Sequence, residues 1–217
     1  MKFSSGSIGG LIGAVFLVAG CASVGETKFY TLSVPSEVRE KDSYREHSVT
    51  PIIIDVMPVT VPERLARPQL VVSIKGQETQ LLILEQARWS SHFNHELRDA
   101  LARVIAEKVG AINEIRGSRA PAHLAYQPVY RIAIELSQFD ATVGGRVNAR
   151  FDWTIIHSTQ ARSAACYSAI SESAGDSIES LVKGIQHVVA AVAGRIAANL
   201  AELNSRGAAD CGSSDRL

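Results

Sequence analysis

YRIAIELSQFDATVGGRVNARFDWTI, residues 130–155, is the stretch that decides the fold. Apolar residues recur at every second position, with Tyr130, Ile132, Ile134 and Leu136 in one run and Val147, Ala149, Phe151, Trp153 and Ile155 in the next. Successive side chains of a strand point to opposite faces, so this alternation describes two strands, each with one buried face. Gly144 and Gly145 supply the turn, and the spacing predicts an antiparallel hairpin. Arg162 to Glu172 continues the pattern as a third, weaker strand, in which Ala164, Cys166, Ser168 and Ile170 alternate with Ser163, Ala165, Tyr167 and Ala169.

On either side of these strands the apolar period changes from two residues to that of a helix. From about Ser91 to Val109, Phe93, Leu97, Leu101, Val104 and Ile105 fall on one side, with an N-cap expected at Ser90 or Ser91 and an exit at Gly110. From about Ser177 to Asn204 the stripe is Leu181, Ile185, Val188, Val192, Ile196, Leu200 and Leu203; Asp176 with Glu179 resembles a capping pair, and Gly207 ends the helix. Alanines such as Ala190, Ala193 and Ala197 let this second helix lie close to a sheet. Its polar face is mixed rather than basic, which favours a core helix over a membrane-surface or partner-binding helix.

Upstream, Phe29 to Leu32 reads as a short strand and the charged stretch from Pro35 to Thr50 as a solvated loop. The β-branched run Ile52 to Val61 reads as a strand marked by Pro58 and Pro62, and Leu70–Lys75 with Leu81–Leu84 as a hairpin about Gly76 and Gln77. The expected fold class is α+β: a several-stranded, mainly antiparallel or mixed sheet with two long helices packed on one face. The helices suffice for one face only, so the uncovered face is a candidate contact surface.

The N-terminus carries a separate signal. Lys2, an apolar run from Ile8 and the sequence Leu17-Val18-Ala19-Gly20-Cys21 have the layout of a secretory signal that ends in small residues before a cysteine. The run is too short for a spanning helix, which needs about 20 residues. Cys21 is therefore the candidate lipidation site, an ordinary signal with an incidental cysteine being the alternative. By resemblance to known lipoprotein sorting signals, Ala22 in place of an aspartate implies the outer membrane of a Gram-negative cell, with fatty acids such as palmitate on the anchor. The division expected is residues 1–20 signal, 21–28 tether, 29–206 one α+β domain and 207–217 a flexible tail. With Cys21 set aside, Cys166 and Cys211 are an even pair in an oxidising compartment. A Cys166–Cys211 bridge fits, as does a buried Cys166 with a free Cys211.

Charge and chemistry narrow the function. The 22 basic and 22 acidic residues balance, so bulk charge recommends neither nucleic acid nor an anionic surface as partner. Cys166 with His157, and His92 with His95 and Glu96, could be imagined as thiol or metal sites. No HExxH spacing occurs, however, and Cys166 carries no nucleophile signature. His123 and His187 stand alone. The sequence predicts no catalysis, no cofactor and no metal. Arg64, Arg67 and Gln69 remain as candidate partner contacts, since Pro68 holds Arg67 extended and the loop can present two guanidinium groups to an acidic partner or a lipid phosphate. The competing reading pairs Arg64 and Arg67 with Glu63, Asp99 or other local carboxylates that merely fix the loop. For Trp89, at a strand-to-helix junction, core anchoring is expected.

Phe29-Tyr30-Thr31-Leu32, then Val59-x-Val61-Pro62-Glu63-Arg64-Leu65-Ala66-Arg67-Pro68-Gln69-Leu70-Val71, then Arg88-Trp89 and Trp153, resemble the ABC-type transport auxiliary lipoproteins, the PqiC (YmbA) family. The resemblance spans essentially the whole mature chain. It implies an outer-membrane lipoprotein beside a periplasmic protein built of mammalian-cell-entry (MCE) domains, acting in lipid traffic between the membranes and in envelope integrity. It also implies self-association, as a homo-oligomer such as a ring. The alternative expectation is a structural or assembly lipoprotein of another envelope machine, such as a secretion channel or a lipopolysaccharide exporter.

Overall fold

A computed structural model of the chain describes residues 25–32, 52–113 and 127–211. The signal segment, Cys21, the Pro35–Thr50 stretch and His123 lie outside the described residues. In chain order the elements are β1 (Lys28–Tyr30), β2 (Ile53–Val56), a 3-10 turn at Glu63–Leu65, β3 (Gln69–Ile74), β4 (Gln77–Trp89), α1 (Phe93–Val109), β5 (Ile112–Asn113), β6 (Val129–Val143), β7 (Arg146–His157), β8 (Ser163–Ser173) and α2 (Ile178–Arg206).

The expected hairpin is β6–β7, antiparallel from Tyr130 opposite His157 to Ala141 opposite Val147. Gly144 closes it at φ +73°, a conformation that L side chains rarely adopt. β8 extends the sheet antiparallel to β7, with Trp153 opposite Cys166. On its other edge β6 carries three partners in succession. β2 runs parallel to it up to Val56–Ile132, Thr60 bridges Glu135, and β3 joins in parallel at Thr142 and Val143. β3 and β4 form an antiparallel hairpin, and β1 adds in parallel to β4, so the sheet is mixed.

Helices α1 and α2 cover one face. The predicted stripe of α2, from Leu181 to Leu203, is buried, as are Tyr130, Ile132, Leu136, Phe151 and Ile155 from the strands beneath. α2 is long and apolar enough to cross a membrane by length and composition, yet its stripe is spent on the sheet. Gly184 marks a close approach to the sheet: a Cβ there would stand 3.1 Å from the Ser173 carbonyl oxygen. α1 contributes Phe93, Leu97, Leu101 and Ile105, and the Phe93 ring lies 5.4 Å from both Trp89 and Phe139. This is the α+β architecture that the periodicities predict, with Trp89 as a core anchor.

Several local details differ from expectation, each for a visible reason. The strand expected over Ile52–Val61 stops at Val56, because Pro58 has no N–H and the chain returns to β6 only through Met57 and Thr60. β4 extends well beyond Leu81–Leu84 and carries Arg88 and Trp89 at its end. His92, not Ser90 or Ser91, is the N-cap of α1, since both serine hydroxyls donate to the Glu96 carboxylate instead. For α2 the capping box is Ser177 with Ser180 rather than Asp176 with Glu179. Glu179 binds Lys28 of β1 at 2.9 Å. The short β5, parallel to β2, has no counterpart among the expected strands.

Beyond α2 the chain is tied down as far as Cys211, although a flexible tail is expected from residue 207. Cys166 and Cys211 form a disulfide with their Cα atoms 5.1 Å apart. The preceding turn is fastened by Asn199 Nδ2 donating to the Asp210 carbonyl and by the Asp210 N–H donating to Glu202.

Candidate docking surface

The segments Pro62–Gln69 and Arg88–Trp89, distant in sequence, meet at one junction. The Trp89 N–H donates to the Pro68 carbonyl at 2.6 Å, the Phe93 N–H donates to the Arg67 carbonyl, and Gln69 lies opposite Arg88 in the β3–β4 ladder. Gln69 Nε2 and Arg88 Nη2 both donate to the Glu85 carboxylate, at 3.3 and 3.2 Å. Nε of Arg67 and of Arg88 is buried with no hydrogen-bond partner among the described residues, so the junction encloses the stems of both guanidiniums.

Arg64 has a different task. Among the described residues the edge of β6 has no neighbouring strand between the Thr60 bridge and Thr142, and Arg64 Nη2 donates to the Phe139 carbonyl there at 3.0 Å. A guanidinium N–H thus stands where a strand N–H would otherwise satisfy the backbone. Asp140 lies 3.8 Å away, so the local-pairing reading holds for Arg64, with this partner rather than Glu63 or Asp99. Asp99 itself pairs with Arg98. The break in the ladder opens a pocket of about 340 Å³, walled by Leu65, Val71, Leu81 and Phe139 and rimmed by Arg64 and Asp140.

The pocket opens on the helix-free face, which is chemically divided. Across β6, β7 and β8 the outward residues are mostly polar and paired among themselves. Arg131 reaches Asp55 at 3.4 Å, Ser137 donates to Asp152 at 2.6 Å, and Arg150 lies 3.8 Å from Asp152 and 4.5 Å over the Tyr167 ring. Across β1, β4 and β3 the register sets Phe29 beside Arg88 and Ile83 beside Val71, and here the exposed residues include Phe29 at 65%, Leu81 at 47% and Ile83 at 46%. The outward row Arg150 and Asp152 was legible as the complement of the apolar alternation. The exposure of Phe29 was not, because an aromatic in a short strand reads equally well as core.

Electrostatics bind β1 to both helices. Burial alone would push the Glu96 carboxyl up, but hydrogen bonds from Ser90, the Leu32 N–H, Thr31 and Ser91 outweigh it and hold the group below its ordinary range. The Lys28 ammonium draws the exposed Glu179 carboxyl down to about 2, and its own pKa rises in return, chiefly through the same hydrogen bond.

The imagined chemical sites have other work. Cys166 is oxidised in the disulfide, so it offers no thiolate, and His157 Nδ1 accepts from the Thr159 and Gln160 N–H groups as the cap of a turn. His92 and His95 contact each other with ring centroids 5.9 Å apart, while Glu96 is engaged as above. Among the described residues no group of three or more His, Cys, Asp or Glu side chains could hold a metal ion.

Comparison with known proteins places this geometry. An uncharacterized protein known from a crystal structure is similar at a TM-score of 0.58 and 17% identity, over 79% of this chain and 97% of its own, a likeness of fold. A DUF330 protein from Xanthomonas campestris is similar at a TM-score of 0.49 and 14% identity, over 68% of this chain and 82% of its own. No curated protein matches the chain. A family model, ABC-type transport auxiliary lipoprotein component, matches residues 30–197, from the end of β1 through most of α2 and including the Arg64–Gln69 and Arg88–Trp89 junction; the chain belongs to that family.

Proposed function

We propose that this lipoprotein is a non-catalytic accessory subunit of an MCE-type intermembrane lipid transport system, held on the periplasmic face of the outer membrane by lipid on Cys21. The observation that carries the reading is the family match over residues 30–197, which includes β2 to β8, all the strands of the helix-free face except most of β1. A transport auxiliary needs a surface that stays open after its own core is packed, and the polar half of that face, with the pocket rim at Arg64 and Asp140, is such a surface. Its charges are paired in both signs, which suits a partner recognised by complementary polar contacts rather than by bulk charge. Gln69 and Arg67 lie at the neighbouring junction with Arg88 and Trp89 and hold the segment that carries Arg64. Self-association that leaves this face open would present several such rims to one partner.

Affinity purification of the chain from crosslinked, detergent-solubilised envelopes tests the reading. An MCE-domain periplasmic protein is expected among the captured partners. Its repeated absence, with components of a secretion channel or of lipopolysaccharide export in its place, would transfer the protein to another envelope machine.

A further inference from the structure

The apolar half of the helix-free face begins where the anchor ends. Cys21 and Lys28 are seven residues apart, a span of at most about 25 Å when fully extended. Phe29, the second residue of β1, faces away from the helices: its neighbours Lys28 and Tyr30 lie level with buried Ala87 and Trp89, and it lies level with Arg88 on the other side. That side continues along β4 to Ile83 and Leu81. Exposed aromatic and aliphatic side chains next to a lipid anchor suit burial at the boundary between headgroups and acyl chains, which removes their apolar surface from water. Arg88 is paired with Glu85 and Lys28 with Glu179, so the patch carries no unbalanced charge toward an anionic lipid.

We propose that this half of the sheet, centred on Phe29 with Ile83, rests on the lipid surface that carries the anchor, leaving the β6–β7–β8 half, with the pocket beside it, turned to protein partners. The proposal rests on Cys21 being lipidated. Contact with the bilayer adds to the acyl chains a second point of attachment, which fixes the orientation of the domain as well as its location. Seating depends on apolar contact, so it is insensitive to the proportion of anionic lipid.

The mature, lipidated full-length protein in phosphatidylcholine vesicles tests this, with a single tryptophan introduced as Phe29→Trp, Ile83→Trp or, as a control on the other half, Ile156→Trp, a position 48% exposed. The native Trp89 and Trp153 are each 4% exposed and supply a constant background. In vesicles with brominated acyl chains the fluorescence of Phe29→Trp and Ile83→Trp is expected to fall, while Ile156→Trp stays as bright as in unbrominated lipid. Adding phosphatidylglycerol leaves this pattern unchanged. If the protein floats with the vesicles but neither probe is quenched, or all three are quenched alike, the seating is wrong and the anchor stands. Protection of Phe29→Trp from iodide without quenching by bromine would give this face to a protein contact and overturn the proposal. If the protein does not float at all, the anchor itself fails, and the seating with it.

Discussion

Glu96 sits where burial and hydrogen bonding oppose each other. Four groups from the β1 end and the α1 entry donate to its carboxylate, Ser90, Ser91, Thr31 and the Leu32 N–H, and together they keep it ionised below its ordinary pKa of 4.5. A carboxyl whose pKa is lower in the folded state than in the unfolded chain adds stability above the unfolded value, and that contribution disappears as pH falls through the folded value. Urea midpoints measured across the acid range should therefore drop below about pH 4.5 in the native protein. Glu96→Gln should begin less stable at pH 7 and show a flatter acid limb, whereas an unchanged limb would show that the carboxylate is not linked to folding. Glu179 is drawn lower still, but it is fully exposed, so solvent screening leaves it little weight. At Arg64 the question is backbone satisfaction. Arg64→Ala leaves the Phe139 carbonyl without its donor and is expected to cost about 1–3 kcal/mol in urea unfolding. A partner contact alone would leave monomer stability untouched, so the same variant separates the structural task from the docking one.

At the scale of elements, the molecule depends on fastenings between segments far apart in sequence. Lys28 and Glu179 join β1 to the start of α2, Gln186 Nε2 of α2 donates to the Thr31 carbonyl, and Cys211 ties the end of the described chain to β8. The disulfide closes a sequence separation of 45 residues that contains the whole of α2, so it restricts the unfolded chain appreciably. Cys211→Ser is expected to lower stability by about 2–4 kcal/mol, and reduction of the native protein should reproduce the loss. Thermal unfolding with and without reductant measures it, and peptide mapping of unreduced protein should yield a Cys166–Cys211 linked pair. The same bond leaves Cys166 unable to act as a nucleophile. The caps of both helices lie one or two residues beyond the positions that the sequence suggests, because serine, aspartate and glutamate all suit that region and only the path of the backbone chooses among them.

For the molecule as a whole, the proposed location rests on the N-terminal segment and the proposed orientation on the sheet. Cys21→Ser should move the protein from the membrane pellet to the soluble periplasmic fraction and abolish labelled-palmitate incorporation, while the folded domain keeps its circular dichroism spectrum. Retention in the pellet would show that the domain binds envelope components without its lipid. Sequence alone determined the parts whose signal is local and repeated. The period of two in residues 130–155 and the helical stripe of α2 each follow from which side chains must leave water, and β6, β7 and α2 formed as those patterns required. Tertiary structure decided what depends on meetings between distant segments: the three successive neighbours of β6, the gap that Arg64 fills, the joining of Pro68 to Trp89, and the pairing of Cys166 with Cys211. It also divided the helix-free face into polar and apolar halves, since alternation tells which residues point outward but not which strands stand side by side. The physical reason is that hydrophobic periodicity is a property of one strand or helix, whereas a docking surface is made by the register between several.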